Sequence, residues 1–336
     1  MRRLIINEPG CFIGAKEERV LVKKDGKAIA EIPVAQLSHV LICTKGASLS
    51  AAALRLLLKN GVQLIILNGR GKPLGRLLPL IRKGMRVVEE QIKALNDGRG
   101  LELAKAFAEA KILNQYSLLK SMAYNREDNK PKLANELHEA AYKVKRYVEK
   151  LLEVKGELER VRGELIRLEA EVAEIYWIMV AKSFEGVIEF PGRKKRFENP
   201  IDPLNLLLNY GYGVLASHCT LALELSSLDP YRGFLHINTP RRPALTMDFM
   251  EEFRQPIVDR VVFRMVRERP KDIVKDGELT KDIRKLLLLK LEERLKERVT
   301  FKNRSAPIEA HMLLQAQRIK GYLLGYEPTY TGYVER

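Results

Sequence analysis

One histidine and two carboxylates stand between residues 202 and 254, around the end of an apolar helical stretch. His236 follows a short apolar segment, and Asp248 and Glu251 are three residues apart, which makes them neighbours on one helical face. One imidazole with carboxylates, and no thiol cluster, suits a divalent ion that takes oxygen and nitrogen ligands. In a strongly basic protein such a site suggests phosphodiester chemistry, in which the ion polarises the scissile phosphate.

Each of these residues also has a structural interpretation. His236 can be a hydrogen-bonded core histidine, and Asp248 can complement the dipole of a helix in its first turn. Glu251 and Glu252 can belong to a solvated face. His218, inside the apolar helix, is better interpreted as a core residue than as a ligand. The residue types and their spacing leave these alternatives open.

The elements that must position the site have their own signals. Asp202 is a predicted N-cap with Pro203 in the first turn, and the apolar run over 204–225 predicts a buried helix. Thr246 is predicted to cap the next helix, which carries the two carboxylates. The tail over 326–336 is rich in Tyr, Pro, Thr and Gly and is expected to be extended or mobile.

Hydrophobic periodicity predicts an α+β protein with two domains. Residues 1–85 form a small mainly-β domain, with an Asp25-Gly26 hairpin turn and one helix that begins at Ser48. Residues 86–336 form a larger all-α domain that carries the site. The glycine- and lysine-containing loop at 68–73 lacks the spacing of a P-loop and is interpreted as a turn between strands.

A sustained heptad repeat over residues 137–179 predicts one long helix or a helix hairpin. Gly156 and Gly163 interrupt it and would mark a kink or a chain reversal. Glu169 lies one residue after a seam position, so it flanks the packed seam. On the residues alone, an edge charge in an ion pair is its simplest role.

Composition points to a polyanion as partner. The 336 residues include 59 Lys and Arg against 43 Asp and Glu, a net charge of +16. Such a surplus favours nucleic acid first and an anionic membrane surface second. The densest basic run, Arg193 to Arg196, is either a solvated loop or a phosphate-contacting loop. Three widely spaced cysteines, and no uninterrupted apolar span, lead us to expect a cytoplasmic protein without a membrane segment.

Ordered motifs along most of the chain resemble the Cas-one family, the CRISPR-associated spacer integrases. The motifs are Gly69-Arg-Gly-Lys-Pro-Leu-Gly-Arg76, Lys111-Ile-Leu-Asn-Gln115, Leu168-Glu169 with Ala173 and Ile175-Tyr-Trp177, Asp202-Pro-Leu-Asn-Leu-Leu-Leu-Asn-Tyr-Gly-Tyr212, Leu228-Asp-Pro-Tyr-Arg-Gly-Phe-Leu-His236, and Met247-Asp-Phe-Met-Glu-Glu-Phe-Arg254.

The resemblance implies one divalent ion, Mn²⁺ or Mg²⁺, in each helical domain. Its ligands would be Glu169, His236 and Glu251, with Asp248 beside them as an alternate ligand or a supporting residue. It also implies a homodimer, with the β domain (residues 1–85) as the dimerisation domain. A small ferredoxin-like second adaptation subunit is the implied partner in a hetero-oligomer.

The implied activity is that of a metal-dependent DNA endonuclease and integrase of CRISPR adaptation. The 3′-OH of captured protospacer DNA would attack a phosphodiester at the CRISPR repeat, with double-stranded and branched DNA as substrates. The candidate phosphate contacts are Arg193, Lys194, Lys195, Arg196, Arg241 and Arg242. Two alternatives are a structure-specific repair nuclease acting on branched DNA and a non-catalytic basic DNA-binding scaffold.

Overall fold

The computed structural model describes residues 2–67, 73–77, 85–239, 242–268, 273–275 and 277–335. The predicted turn at 68–72 and the predicted phosphate contact Arg241 lie outside the described residues. The chain divides into two compact units, Met1–Met85 and Arg86–Arg336. Each unit has its own buried apolar cluster and is described by itself.

The N-terminal unit consists of strands around one helix. Its elements are β1 (Arg2–Ile6), β2 (Cys11–Lys16), β3 (Arg19–Lys24), β4 (Lys27–Pro33), β5 (Leu37–Ile42), β6 (Ser48–Leu49), α1 (Ala51–Lys59), β7 (Gln63–Leu67) and β8 (Pro73–Leu77). They form two four-stranded sheets, in the orders β1-β5-β7-β8 and β4-β3-β2-β6. Fully buried residues such as Ile13, Val20 and Leu57 fill the core that the sheets share with α1.

Two local predictions for this unit have different outcomes. The hairpin is confirmed, because β3 and β4 pair antiparallel across Asp25 and Gly26. Both turn residues have positive φ, 51° and 76°, as the favoured two-residue turn requires. The helix start at Ser48 is wrong. Ser48 pairs with β2, and the Oγ of Ser50 caps α1 by accepting the Ala53 N–H at 3.1 Å.

The C-terminal unit is mainly helical. Its elements are α2 (Met85–Lys93), α3 (Arg99–Tyr124), α4 (Pro131–Glu153), α5 (Leu158–Phe184), α6 (Pro203–Leu225), α7 (Ala244–Met250), α8 (Arg260–Glu268), β9 (Val274–Lys275), β10 (Glu278–Leu279), α9 (Lys281–Lys296), β11 (Arg298–Phe301), β12 (Arg304–Pro307) and α10 (Ile308–Leu323). β9 pairs with β10 and β11 with β12 as two short hairpins that the sequence pattern did not indicate.

The heptad repeat forms a helix hairpin, one of the two predicted forms. α4 and α5 are antiparallel, because Glu136 near the start of α4 pairs with Lys182 near the end of α5 at 2.6 Å. Gly156, at φ +133°, lies in the link between the two helices, whereas Gly163 lies inside α5. Seam residues of both helices are buried, namely Leu137, Val144, Leu151, Leu158, Leu165 and Val172.

The buried helix α6 begins as predicted, since Asp202 Oδ1 accepts the Asn205 N–H at 2.9 Å. Gly211 lets another segment approach α6 closely. A Cβ on this glycine would stand 2.6 Å from Val258 Cγ1, in the π-helical segment Arg254–Asp259. The absence of a side chain at Gly211 therefore allows the segment after α7 to pack directly on α6.

One prediction between α6 and α9 is wrong. Thr246 does not cap α7, which begins at Ala244. Its Oγ1 lies buried 3.1 Å from Thr220 Oγ1 and so ties α7 to α6. The π-helical segment Arg254–Asp259 continues directly into α8. The closely packed side chains of this region, and not helix propensity, determine where each helix begins.

The tail over 324–335 is packed against the helical unit and has no helix or strand, which agrees with the extended form of the two that were predicted. Tyr333 is fully buried, and its ring stacks on that of Phe253 with 5.1 Å between centroids. Asn114 donates to the Tyr333 carbonyl at 2.8 Å and accepts the Glu335 N–H at 3.0 Å. Over the described residues, no helix is both long and apolar enough to cross a bilayer.

Candidate metal and phosphodiester site

The predicted ligands come from three separate segments of the C-terminal unit. Glu169 lies on α5, His236 lies between α6 and α7, and Glu251 follows α7 directly. A fourth residue, Lys111 of α3, lies between the two glutamates. Its ammonium group pairs with Glu251 Oε2 at 2.8 Å and also with Glu169 Oε1. The structure thus brings two of the three predicted ligands to one cation.

Burial makes this cluster electrostatically strong. Glu251 is 1% exposed, so the solvated-face interpretation of this residue is wrong. Burial by itself would raise the pKa of Glu251, but the charges of Arg254 and Lys111 outweigh burial and lower this pKa to about 2. Arg254 Nε lies 2.8 Å from Glu251 Oε2. The carboxylate is therefore ionised at any pH at which the protein works.

Asp248 holds the segment that carries His236. Its two carboxylate oxygens accept the backbone N–H groups of Phe234 at 2.5 Å, Leu235 at 3.0 Å and His236 at 2.8 Å. His236 Nδ1 lies 2.7 Å from Asp248 Oδ1. A Cβ on Gly233 would stand 2.7 Å from Asp248 Oδ2, so only glycine fits where this segment turns over the carboxylate. Asp248 is fully buried and its oxygens are engaged, which favours a supporting role over direct ligation.

We expect Asp248→Asn to lower both stability and activity. An amide NH₂ in place of one oxygen would face backbone donors and leave buried N–H groups unpaired, at a cost of about 1–3 kcal/mol each. Without the Asp248 carboxylate, the His236 ring should lose its fixed orientation. Removing a group that orients a metal ligand typically reduces activity about 10–100-fold. Urea unfolding and DNA strand transfer measure the two effects.

Asp229→Asn is the matched control for this substitution. Asp229 also accepts a backbone N–H, from Tyr231 at 2.9 Å, but its side chain is 32% exposed. We expect its replacement to change neither property appreciably. Equal effects of the two substitutions would contradict the positioning role of Asp248.

The donor atoms at this site fit a hard divalent ion. Because the Asp248 carboxylate only accepts, His236 Nδ1 carries the proton, which leaves the Nε2 lone pair for a ligand. His236 lies near enough to Glu251 for the two side chains to interact electrostatically. Within the described residues no three His, Cys, Asp or Glu side chains form a ready ion-binding group. Glu169 and Glu251 meet instead at the Lys111 ammonium, so the cation position they share is held by a side chain.

Glu252, next to Glu251, anchors the tail instead of facing solvent. It accepts the Tyr333 N–H at 2.7 Å, an N–H of Gln315 at 3.3 Å and the hydroxyl of Tyr330. Burial raises the pKa of Glu252 to about 7 despite these donors. The two adjacent glutamates therefore differ, one held ionised at the candidate site and the other holding the C-terminal segment.

Asp259 is a further buried carboxylate, and it lies near Arg254 of the site. The hydroxyl groups of Tyr176 on α5 and Tyr212 on α6 both donate to Asp259, which is fully buried. Arg254, the partner of Glu251, lies over the Tyr212 ring at 4.7 Å. Neither Asp259 nor Arg254 had a predicted role, because nothing in their spacing distinguishes them from surface charges.

The predicted phosphate contacts fall into three groups. Lys194, Lys195 and Arg242 are exposed. Arg193 is partly buried and donates to Asn205 Oδ1 at 2.9 Å and to Asn209 Oδ1 at 2.7 Å, with its guanidinium over the Tyr212 ring at 5.3 Å. These contacts tie the basic segment to α6, and the phosphate contact at Arg193 stays a prediction. The side chain of Arg196 and all of Arg241 lie outside the described residues.

His218 is not part of the site. Its Nε2 lies 3.5 Å from Glu292 Oε1, and 26% of its side chain is exposed. The residue is therefore a partly exposed neighbour of α9 and not the buried core residue that its position in an apolar helix suggests.

Fold and site together define an α+β protein whose helical unit carries a buried carboxylate and histidine site. The chain matches the family model described as CRISPR associated protein Cas1 over residues 4–293. It is 35% identical to CRISPR-associated endonuclease Cas1 1 of Archaeoglobus fulgidus, with 99% of each chain covered. It is 34% identical to CRISPR-associated endonuclease Cas1 of Korarchaeum cryptofilum, with 97% of this chain and 96% of the relative covered. The chain belongs to the Cas1 family.

Solved structures share the fold over the whole chain. A casposase bound to integration product matches with a TM-score of 0.77 at 24% identity, covering 98% of both chains. A partial Cas6-RT-Cas1–Cas2 complex matches with a TM-score of 0.74 at 21% identity, covering 100% of this chain and 99% of the other. The predicted α+β fold class, with strands first and helices after, is confirmed.

Proposed function

We propose that this protein is a metal-dependent DNA integrase and endonuclease of CRISPR adaptation. It joins the 3′-OH of captured protospacer DNA to a phosphodiester at the CRISPR repeat. The observation that carries this proposal is the convergence of Glu169 and Glu251 on one buried cation position. The family membership of the chain and the endonuclease names of its relatives support the same activity.

The side chains of the site have distinct roles in this reaction. Glu169, His236 and Glu251 would hold Mn²⁺ or Mg²⁺, which when bound polarises the scissile phosphate and stabilises the charge on the leaving oxygen. Asp248 fixes the His236 ring and its proton through the contacts at Nδ1 and the backbone. Arg254 keeps Glu251 ionised and in place. The charged groups are therefore already oriented before DNA binds, and they need little reorganisation during the reaction.

Lys194, Lys195 and Arg242 are the phosphate contacts that we propose among the described residues, because their side chains are exposed. We also propose a homodimer formed through the N-terminal unit. Its β8 is the edge strand of one sheet and exposes Leu74 and Leu77, at 67% and 37%. A small ferredoxin-like second subunit completes the assembly in the cytoplasm. The Cas2-containing structural neighbour supports this partner.

The test is strand transfer into a supercoiled plasmid that bears a repeat array, with Mn²⁺ or EDTA and with the second subunit present. We expect joined product for the wild type with the ion, and loss of product for Glu169→Gln and His236→Ala. The matched control is Glu171→Gln. Glu171 lies on the same helix, is 38% exposed and pairs with Arg167, so its replacement should leave joining unchanged.

The products distinguish the competing functions. Cut DNA without joined DNA would indicate the repair nuclease and contradict the integrase proposal. DNA bound tightly but unchanged under all conditions, with EDTA having no effect, would indicate the non-catalytic scaffold. Joining that survives both substitutions would show that the site lies elsewhere.

A further inference from the structure

A polar cavity lies between α3 and α8, outside the site described above. It has a volume of about 270 Å³ and is lined by Leu118, Ser121, Met122, Asn125, Arg260, Phe263, Arg264, Arg267 and Glu268. Ser121 is ten residues beyond Lys111 on α3, about 15 Å along the helix axis at 1.5 Å per residue. The volume is just below the range for drug-sized ligands, so the cavity suits a small group such as a phosphate.

Three arginines of one helix face this cavity together. Arg260, Arg264 and Arg267 are spaced by four and three residues, which places them in a row on one side of α8. Arg126 adds a fourth positive charge nearby, because burial and then the charge of Arg267 lower its pKa only to about 10. The lining carboxylate, Glu268, is paired with Lys290 at 3.3 Å. Among the described residues that line the cavity, the three arginines therefore outnumber the one carboxylate.

Several hydrogen-bond donors in the cavity have no acceptor among the described residues. Within the described part of the chain, Arg264 makes no ion pair or hydrogen bond, and neither the Ser121 hydroxyl nor the Asn125 amide makes a side-chain hydrogen bond. Arg267 lies over the Phe184 ring at 5.5 Å, which orients its guanidinium without using its N–H groups. Arg260 pairs with Glu335 at 3.4 Å. An arginine with a structural role usually donates hydrogen bonds to protein acceptors, as Arg126 does to two backbone carbonyl groups.

We propose that this cavity is a phosphate-binding site, distinct from the catalytic site. Guanidinium groups match phosphate oxygens with paired N–H donors, and a serine hydroxyl and an asparagine amide add neutral donors. The apolar side chains of Leu118, Met122 and Phe263 line the rest of the cavity. The phosphate belongs either to a DNA backbone or to a free phosphate compound, and the chemistry of recognition is the same.

The test compares two double variants of the full-length protein, in EDTA so that no divalent ion contributes. Arg264→Gln with Arg267→Gln removes two exposed donors of the cavity. Arg160→Gln with Arg167→Gln is the matched control, because these arginines are 81% and 60% exposed and also lie on one helix, α5. Calorimetric titration with inorganic pyrophosphate and with single-stranded oligothymidylate measures binding by each source of phosphate.

We expect the cavity variant to bind at least one probe on the order of tenfold more weakly or worse, as loss of two charged hydrogen bonds predicts, and the control variant to bind as the wild type does. A loss confined to oligothymidylate assigns the site to DNA, and a loss confined to pyrophosphate assigns it to a free phosphate compound. Equal binding by the wild type and the cavity variant, or equal losses in both variants, would overturn the proposal. Strand transfer is not needed for this test, so its result is independent of the proposed function.

Discussion

Glu251→Gln is expected to abolish strand transfer and to destabilise the protein at the same time. The substitution removes a proposed metal ligand. The rate should therefore fall by more than the 10–100-fold that is typical when a residue that only orients a ligand is replaced. It also leaves Lys111 and Arg254 buried with Glu169 as the remaining carboxylate of the cluster. Breaking a buried pair in this way costs about 3–5 kcal/mol. Strand transfer and urea unfolding measure the two losses on the same preparation.

Glu252→Gln is the neighbouring control for this prediction. Glu252 is as buried as Glu251, but its pKa of about 7 means that a neutral side chain is already tolerated at this position. We expect the smaller stability change from this variant and retention of strand transfer. If Glu251→Gln left stability unchanged, the ion pairs with Lys111 and Arg254 would not be contributing, and the cluster would not be the buried site described here.

Much of the fold could be predicted because local rules determine it. The Asp25-Gly26 turn, the Asp202 cap and the heptad seam each depend on residues within a few positions of one another, where turn geometry and periodicity apply. The start of α7 and the π-helical segment could not be predicted. They depend on contacts such as Thr246 with Thr220 and Val258 with Gly211, which join residues distant in sequence.

The candidate site divides in the same way. His236, Asp248 and Glu251 attracted attention through their types and spacing, and Glu169 only through the resemblance to a family. Lys111 and Arg254 lie in motifs that carry the resemblance but were given no role, because a lysine in a helix and an arginine after a glutamate are ordinary on a protein surface. Their burial beside two carboxylates is a property of the packed helices. The contacts of Arg193 could not be predicted either, since charge density does not distinguish a free guanidinium from one bonded to two asparagines.

The Lys111 ammonium pairs with both Glu169 and Glu251, so a divalent ion held by these two carboxylates would compete with it, and Lys111→Met tests this competition. Without metal, the variant leaves Glu169 and Glu251 without their shared cation, and we expect a loss of about 3–5 kcal/mol in unfolding free energy. With Mn²⁺ the variant should regain part of this lost unfolding free energy. The ion no longer competes with an ammonium group, so its affinity should rise on the order of tenfold or more, and the stabilisation of the native state should rise with the logarithm of that affinity.

Electron paramagnetic resonance of free Mn²⁺ measures the affinity, and thermal unfolding in EDTA and in Mn²⁺ measures the stability. Lys105→Met is the matched control, because Lys105 lies on the same helix, is 6% exposed and has Glu102 as its partner at 3.6 Å. Its replacement should not change Mn²⁺ binding. Weaker Mn²⁺ binding by Lys111→Met than by the wild type would contradict the competition and would mean that the lysine holds the glutamates in the geometry the ion needs. Tighter binding would show that the protein uses its own ammonium to keep two buried carboxylates together until a metal ion replaces it.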